Sequence, residues 1–142
     1  ISLLQVKAID SCNDDISDEE FEKIPNDEEI CDWQKIPLSQ IDDADGLAHL
    51  DAAGFRYYIP ALMLRLIDNY EANSMMAIGT ISCLCPDEYC WEYCTDRYSE
   101  LSDEQKSTIA MFMKQSHEYI DYSDDDKIRI KYAYDEYWKQ FI

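Results

Sequence analysis

The sequence predicts an all-α fold, a compact irregular bundle of five to seven helices. Strand signals are scarce, because the chain has 3 glycines, few valines and no Asn-Gly or Asp-Gly turn between alternating apolar runs. Helix signals are abundant, since several capping residues stand directly before stretches with helical apolar spacing. A length of 142 residues with 46% hydrophobic residues is typical of one folded domain, here predicted to span residues 1–142.

An acidic segment, residues 10–32, forms the first part of this predicted domain. It holds eleven acidic residues and a single base, Lys23. Ser17 followed by three acidic residues is typical of a helix N-cap and an acidic first turn, and Pro25 is predicted to end that short helix.

A central buried helix is predicted to begin with Pro60 in its first turn and to run to about Tyr70. Ser74 is predicted to cap a second helix, and Asp87 or Glu88 to begin a third. The apolar stripes of these and later helices predict a core that includes Phe55, Leu62, Leu66, Ile109, Phe112 and Trp138.

The clearest start signal is Ser102 with Gln105 three residues later, a capping box ahead of a long helix that is predicted to stop near Tyr122. An acidic cluster, Asp121 and Asp124 to Asp126, then separates this helix from the last one. The last helix is predicted to present one apolar stripe, formed by Ile130, Tyr134, Tyr137 and Phe141 and widened by Ile128, Tyr132 and Trp138.

One octet within the predicted central region is similar to a known family. The run Gly54-Phe55-Arg56-Tyr57-Tyr58-Ile59-Pro60-Ala61, together with Trp33, Ile36-Pro37, Leu101-Ser102 and Gln105, resembles the bacterial domain of unknown function number 6714 over roughly residues 33–112. The resemblance implies a small helical domain in which Gly54, Phe55, Tyr58 and Pro60 are core or turn positions. It implies no catalytic activity and no ligand.

Four cysteines in a C-x-C-x4-C-x3-C pattern are the strongest candidates for a metal or thiol site. Structural zinc sites usually use C-x2-C or C-x4-C knuckles, and the intervening Trp91 and Tyr93 are typical of core packing. We therefore predict no metal and no cofactor, with reduced thiols and a cytoplasmic location. The zinc- or thiol-dependent enzyme remains an alternative, and metal binding or disulfide formation stays open for Cys83, Cys85, Cys90 and Cys94.

Other catalytic patterns are incomplete. His117 and Asp121 resemble the helical H-E-x-x-H zinc motif with its second histidine replaced, which is more typical of a solvated pair on one helix face. The acidic stretches lack the EF-hand register, and the Gly-rich nucleotide loops and the G-x-S-x-G elbow are absent from the sequence. No catalytic residue is predicted, and we expect the protein not to be an enzyme.

The charge indicates the class of partner. With 31 acidic and 12 basic residues, the formal net charge is -19, which repels nucleic acid and anionic membranes and accelerates association with a cationic protein. The sequence therefore predicts an immunity protein or antitoxin that neutralises a basic toxin or nuclease, with a DNA-mimic inhibitor of a defence enzyme as an alternative. Oligomeric state stays open, as does any leader before Ile1. The predicted contact residues are Asp14, Asp15, Asp18, Glu19, Glu22, Glu28, Glu29, Asp32 and Trp33.

Overall fold

The computed structural model describes residues 1–11, 16–24 and 32–142, and these residues form helices and connecting turns without a strand. This confirms the predicted all-α class. The described residues contain eight α-helices, one above the predicted upper number, because two of them are only five residues long. The helices are α1 (Leu3–Ser11), α2 (Asp18–Glu22), α3 (Leu38–Asp42), α4 (Ala52–Asn69), α5 (Met75–Leu84), α6 (Trp91–Asp96), α7 (Asp103–Gln115) and α8 (Asp124–Glu136).

Short 3-10 turns complete the backbone between and after the α-helices. They span Trp33–Lys35, Leu47–His49, Glu88–Cys90, Ser116–Glu118 and Trp138–Phe141. None of the helices in the described part of the chain is both long and apolar enough to cross a membrane.

Side-chain caps start most of the longer helices. The hydroxyl of Ser74 accepts a hydrogen bond from the Ala77 amide at 3.1 Å, as predicted. At Ser102 the capping box is complete, since the Gln105 amide donates to the serine hydroxyl at 3.1 Å and the Ser102 amide donates to Gln105 Oε1 at 2.9 Å. Local sequence signals therefore locate the starts of α5 and α7.

Helix α4 is longer than predicted at its N-terminal end. Asp51 is its N-cap, with Oδ1 2.8 Å from the Gly54 amide, so the helix begins at Ala52. The prediction that Pro60 occupies the first turn is wrong, because Pro60 lies inside α4. A proline there lacks the N–H that would donate to the carbonyl four residues earlier, so the helix tolerates one missing bond within a well-packed segment.

One side of α4 is buried and the other is not. Phe55, Leu62 and Leu66 are at most 1% exposed, whereas Leu64 is 52% exposed. The Arg65 guanidinium donates to both carboxylate oxygens of Asp42, with N···O distances of 2.7 and 2.8 Å, and joins α4 to α3. This hydrogen-bonded pair lowers the pKa of Asp42.

Aromatic side chains near the C-terminus form the most densely connected part of the core. Trp138 is fully buried, and its ring centroid lies 4.6 Å from that of Tyr98 and 5.0 Å from that of Tyr137. Its indole N–H donates to the Leu84 carbonyl at 2.8 Å. Of the six predicted core residues, five are buried: Phe55, Leu62, Leu66, Ile109 and Trp138. Phe112 is half-buried against the core.

The last two α-helices differ from the prediction at their facing ends. Helix α7 ends at Gln115, and α8 begins at Asp124 because Ser123 caps it through the Asp126 amide. Asp124, Asp125 and Asp126 of the acidic cluster therefore form the first turn of α8, and only Asp121 lies between the two helices. Tyr70 anchors this end of α8, since its hydroxyl donates to Asp126 Oδ2 at 2.6 Å and accepts from the Ser123 amide at 3.0 Å.

Candidate partner-binding surface

The predicted contact residues divide between described and undescribed parts of the chain. Four of them, Asp14, Asp15, Glu28 and Glu29, lie outside the described residues. Asp18, Glu19 and Glu22 lie on α2, and Asp32 and Trp33 lie at the next 3-10 turn. Within the described residues, no hydrogen bond or ion pair joins the α2 carboxylates to Asp32 or Trp33.

Helix α2 presents its carboxylates to solvent. Ser17 starts it, because the serine hydroxyl accepts a hydrogen bond from the Glu20 amide at 3.3 Å, and acidic residues in its first turn complement the helix dipole. None of its residues is buried. Lys23 lies 3.4 Å from Glu19 Oε1, but both side chains are more than two-thirds exposed, so this pair contributes little to stability.

Asp32 and Trp33 have partly structural roles. Asp32 is exposed, and its Oδ1 accepts a hydrogen bond from the Gln34 amide at 3.1 Å, which starts the 3-10 turn. The half-buried Trp33 side chain packs against the core. A partner could therefore contact only part of the Trp33 indole ring. The neighbouring Asp32 carboxylate is exposed and accessible to a partner.

The cysteine pattern separates into a buried pair and a more exposed pair. Cys83 and Cys85 are buried, and this burial raises the pKa of Cys83 to about 11 and that of Cys85 to about 12. Both are free thiols. Since the thiolate is the nucleophile and metal ligand, a raised pKa makes these two side chains poor at both tasks near neutral pH.

The second pair lies at the start of α6. The Sγ atoms of Cys90 and Cys94 are 3.4 Å apart, and the hydrogen bond between them raises the pKa of Cys90. Both are free thiols, Cys90 exposed and Cys94 half-buried. In the part of the chain that the structure describes, no group of three His, Cys, Asp or Glu side chains is placed to hold one metal ion.

Arg97 is a buried cation that sequence reasoning missed. Its guanidinium donates to the Ala48 carbonyl at 3.0 Å and to Cys83 Sγ at 3.2 Å, and it lies 5.5 Å from the ring centroid of Tyr93. Its Nε is buried and has no hydrogen-bond partner among the described residues. These contacts join the segment after α6 to α5 and to the turn Leu47–His49, and no local sequence signal predicts them.

The histidine pattern does not form the helical arrangement that was considered. His117 lies in the turn Ser116–Glu118, after α7 has ended at Gln115, and Asp121 lies in the irregular segment that follows. The two residues therefore do not share a face of one α-helix. The idea of an i,i+4 pair is wrong because the α-helix is shorter than the apolar pattern predicted.

Two aromatic side chains and one isoleucine that the sequence places on apolar faces are exposed instead. Tyr93, predicted to pack in the core with Trp91, is 63% exposed, while Trp91 is half-buried and stacks edge-on against Tyr137 at 5.9 Å. The predicted stripe of the last helix is also wrong in part. Ile128 is 69% and Tyr132 47% exposed, and α8 ends at Glu136, so Tyr137, Trp138 and Phe141 lie beyond it. Apolar character predicts a stripe but does not reveal which side of a wide stripe faces the neighbouring helix.

A family model covers the whole chain. The model described as a family of unknown function, DUF6714, matches residues 1–142. The chain belongs to this family. The match extends beyond the residues 33–112 that carried the resemblance, into both the acidic segment and the tyrosine-rich end. Searches of curated proteins and of solved structures gave no significant match to the chain.

The octet that suggested DUF6714 has a structural role in this member of the family. Gly54, Phe55 and Tyr58 are buried within the first half of α4, and Pro60 follows inside the same helix. The Tyr58 hydroxyl accepts a hydrogen bond from the Leu3 amide at 3.2 Å, which ties α1 to α4. Gly54, Phe55 and Tyr58 are therefore core positions, and Pro60 is a half-buried position of the same helix.

Proposed function

We propose that this protein is an acidic protein-binding module, and most concretely an immunity protein or antitoxin that neutralises a basic toxin or nuclease. The observation that carries the proposal is the net charge of -19 together with a helix, α2, whose carboxylates are all exposed. A nuclease holds phosphates with lysine and arginine side chains. An inhibitor that presents carboxylates to those side chains occupies the same surface.

The physical mechanism has two stages. The negative field first steers a cationic partner toward the protein and raises the association rate. Carboxylates that become desolvated against arginine or lysine then slow dissociation, and aromatic side chains beside them supply contact area. The exposed Asp18, Glu19 and Glu22 suit the first stage, and the half-buried Trp33 suits the second.

A thiol-dependent enzyme is the weaker proposal. The raised pKa values of Cys83 and Cys85 argue against either as a nucleophile near neutral pH. The pKa of Cys90 is also raised, through its hydrogen bond to Cys94. We therefore base the proposed function on charge rather than on thiol chemistry.

The proposal is tested by reversing the α2 charge. Asp18, Glu19 and Glu22 are replaced together by lysine, after a partner has been captured from the native host with the unmodified protein and purified. The expected result is a basic partner whose association rate falls about ten-fold or more for the variant, measured by stopped-flow fluorescence at low salt. Folding should be unaffected, because no residue of α2 is buried.

A matched control separates a local surface from overall charge. Glu71, Glu100 and Glu118 are also exposed, lie outside the α-helices and give the same change in net charge when replaced by lysine. Each replacement adds two charges, so both triple variants change -19 to -13. The α2 variant should slow association several-fold more than the control. Equal effects, or an acidic captured partner, would contradict the proposal.

Salt provides an independent measurement on the unmodified protein. Raising the salt concentration should slow association with the partner, because charges more than about 10 Å apart are largely screened at about 0.1 M. The same change should stabilise the isolated protein, since its carboxylates repel one another. Opposite signs for the two effects are the expected outcome, and association that is independent of salt would contradict the steering mechanism.

A further inference from the structure

A groove between α8 and the segment that precedes α6 contains the most exposed aromatic side chain among the described residues. Tyr89 is 91% exposed, and Tyr132 of α8 is 47% exposed. Both line a groove of about 340 Å³, together with Asp87, Glu88 and Arg129. We call this feature the tyrosine groove and define it by these five residues.

The backbone holds Tyr89 in this exposed position. Asp87 is the N-cap of the turn Glu88–Cys90, and its Oδ1 accepts a hydrogen bond from the Tyr89 amide at 2.8 Å. Pro86 before it is buried and lines the same groove. The ring is therefore displayed on a capped turn rather than on an unsupported loop.

Helix α8 continues the exposed apolar surface. Ile128 and Tyr132 are four residues apart and thus neighbours on one helical face, and Ile128 is 69% exposed. Exposed apolar side chains that lie together next to charged groups are typical of protein contact surfaces. A tyrosine adds a large and rigid contact area at such a surface, and tyrosine is enriched among the residues that dominate binding energy.

We infer that the tyrosine groove receives an arginine-containing segment of the basic partner. The inference rests on the proposed function and adds a second contact surface to it. A guanidinium group stacks on aromatic rings and pairs bidentately with carboxylates, so Tyr89 and Tyr132 with Asp87 and Glu88 offer it both kinds of contact. A lysine ammonium is a compact, strongly hydrated charge and gains less from the rings.

Arg129 is the cation that the groove itself contains. Its Nη2 donates to Ser82 Oγ at 3.3 Å, which connects it to α5. Two carboxylates line the groove against this one guanidinium, so the lining carries a net negative charge. Removing the charge of Arg129 should therefore strengthen binding of a cationic segment. If the groove served an anionic ligand, the same change would weaken binding of that ligand.

The experiment uses two synthetic peptides of equal length and charge. One alternates arginine with glycine and the other lysine with glycine, and both carry an N-terminal fluorophore for anisotropy titration at about 0.1 M salt. The native protein should bind the arginine peptide more tightly by up to about five-fold, the full value of one cation–π contact at an exposed site. Tyr89→Ser combined with Tyr132→Ser should remove this preference.

Three further variants make the result specific. Tyr119 is 71% exposed and does not line the groove, so Tyr119→Ser should leave the arginine preference unchanged. The α2 triple lysine variant should bind both peptides more weakly by the same factor, so its preference for the arginine peptide should be unchanged. Arg129→Gln should bind the arginine peptide more tightly than the native protein does. Circular dichroism checks that each variant is folded.

The outcomes distinguish the groove from the proposed function. If the native protein binds both peptides equally, or if the preference survives the double tyrosine replacement, the groove inference is overturned and the charge-based function stands. Weaker binding after Arg129→Gln would also overturn it. If neither peptide binds the native protein, the groove inference is overturned, and the proposed function is decided separately by the charge and association rate of the captured partner.

Discussion

Helix α2 and the C-terminal aromatic cluster, formed by Trp138 with Tyr98, Tyr137 and Phe141, differ in exposure and in charge. The helix has no buried residue and is formed by a serine cap and acidic side chains, whereas Trp138 in the cluster is fully buried and touches rings from three other residues. In these two regions, exposed charge and buried packing are separated. A substitution in the cluster should change folding, and one in α2 should change association.

The largest expected effect comes from truncating the centre of the cluster. Trp138→Ala should reduce the free energy of unfolding by about 3–5 kcal/mol, because it removes a fully buried indole and leaves a cavity. It also removes the donor that the Leu84 carbonyl accepts. Urea denaturation followed by circular dichroism measures the loss.

Trp33→Ala is the control for this prediction at the acidic end. Trp33 is half-buried, so its truncation should cost clearly less than that of Trp138. An equal loss in the free energy of unfolding for Trp33→Ala and Trp138→Ala would show that Trp33 stabilises the core as strongly as Trp138 does. That result would contradict the difference drawn between the two regions.

A smaller effect is expected from one buried hydroxyl. The Tyr98 hydroxyl donates to the Cys83 carbonyl at 2.6 Å, and both groups are buried. Tyr98→Phe keeps the ring contacts but leaves that carbonyl without this donor, so stability should fall by about 1–3 kcal/mol. Tyr119→Phe, at an exposed position, should change stability by less than about 0.5 kcal/mol, and the same urea titration measures both.

The smallest effects compare two serine caps. Ser102→Ala should cost about 1 kcal/mol, because it removes the hydroxyl that accepts the hydrogen bond from the Gln105 amide at the start of α7. Ser17→Ala removes a cap from α2, which packs no buried residue, so it should fray that helix with little effect on global unfolding. Thermal melts report the global effect, and hydrogen exchange at Glu20 reports the local one. Equal shifts in melting temperature would contradict the separation of the two regions.

Helix starts were the most predictable part of the fold. Ser17, Ser74 and Ser102 each cap the amide three positions later, so the sequence contains the whole interaction. Pro60 was misplaced for a related reason. Proline is common in first turns, but the Asp51 cap upstream decided where α4 begins, and packing along the helix outweighed the missing hydrogen bond.

The candidate surfaces were predictable only where charge alone defines them. The acidic character of α2 follows from composition, and its exposure follows from its four carboxylate side chains, which are rarely buried without a partner. The tyrosine groove could not be predicted, because it depends on the packing of α8 beside a turn about forty residues earlier. Aromatic residues such as Tyr89 are usually assigned to a core, and sequence periodicity does not reveal that a capped turn holds the ring in solvent.

The two buried thiols, Cys83 and Cys85, can report local opening of the core. Cys83 and Cys85 lie in the core, and burial raises the pKa of both, so an alkylating reagent reaches them only when that part of the structure opens. Their rate of modification thus converts into the free energy of local opening around the end of α5. Since the Arg97 guanidinium and the Tyr98 hydroxyl both contact Cys83, this free energy includes the cost of breaking the link between α5 and the segment after α6.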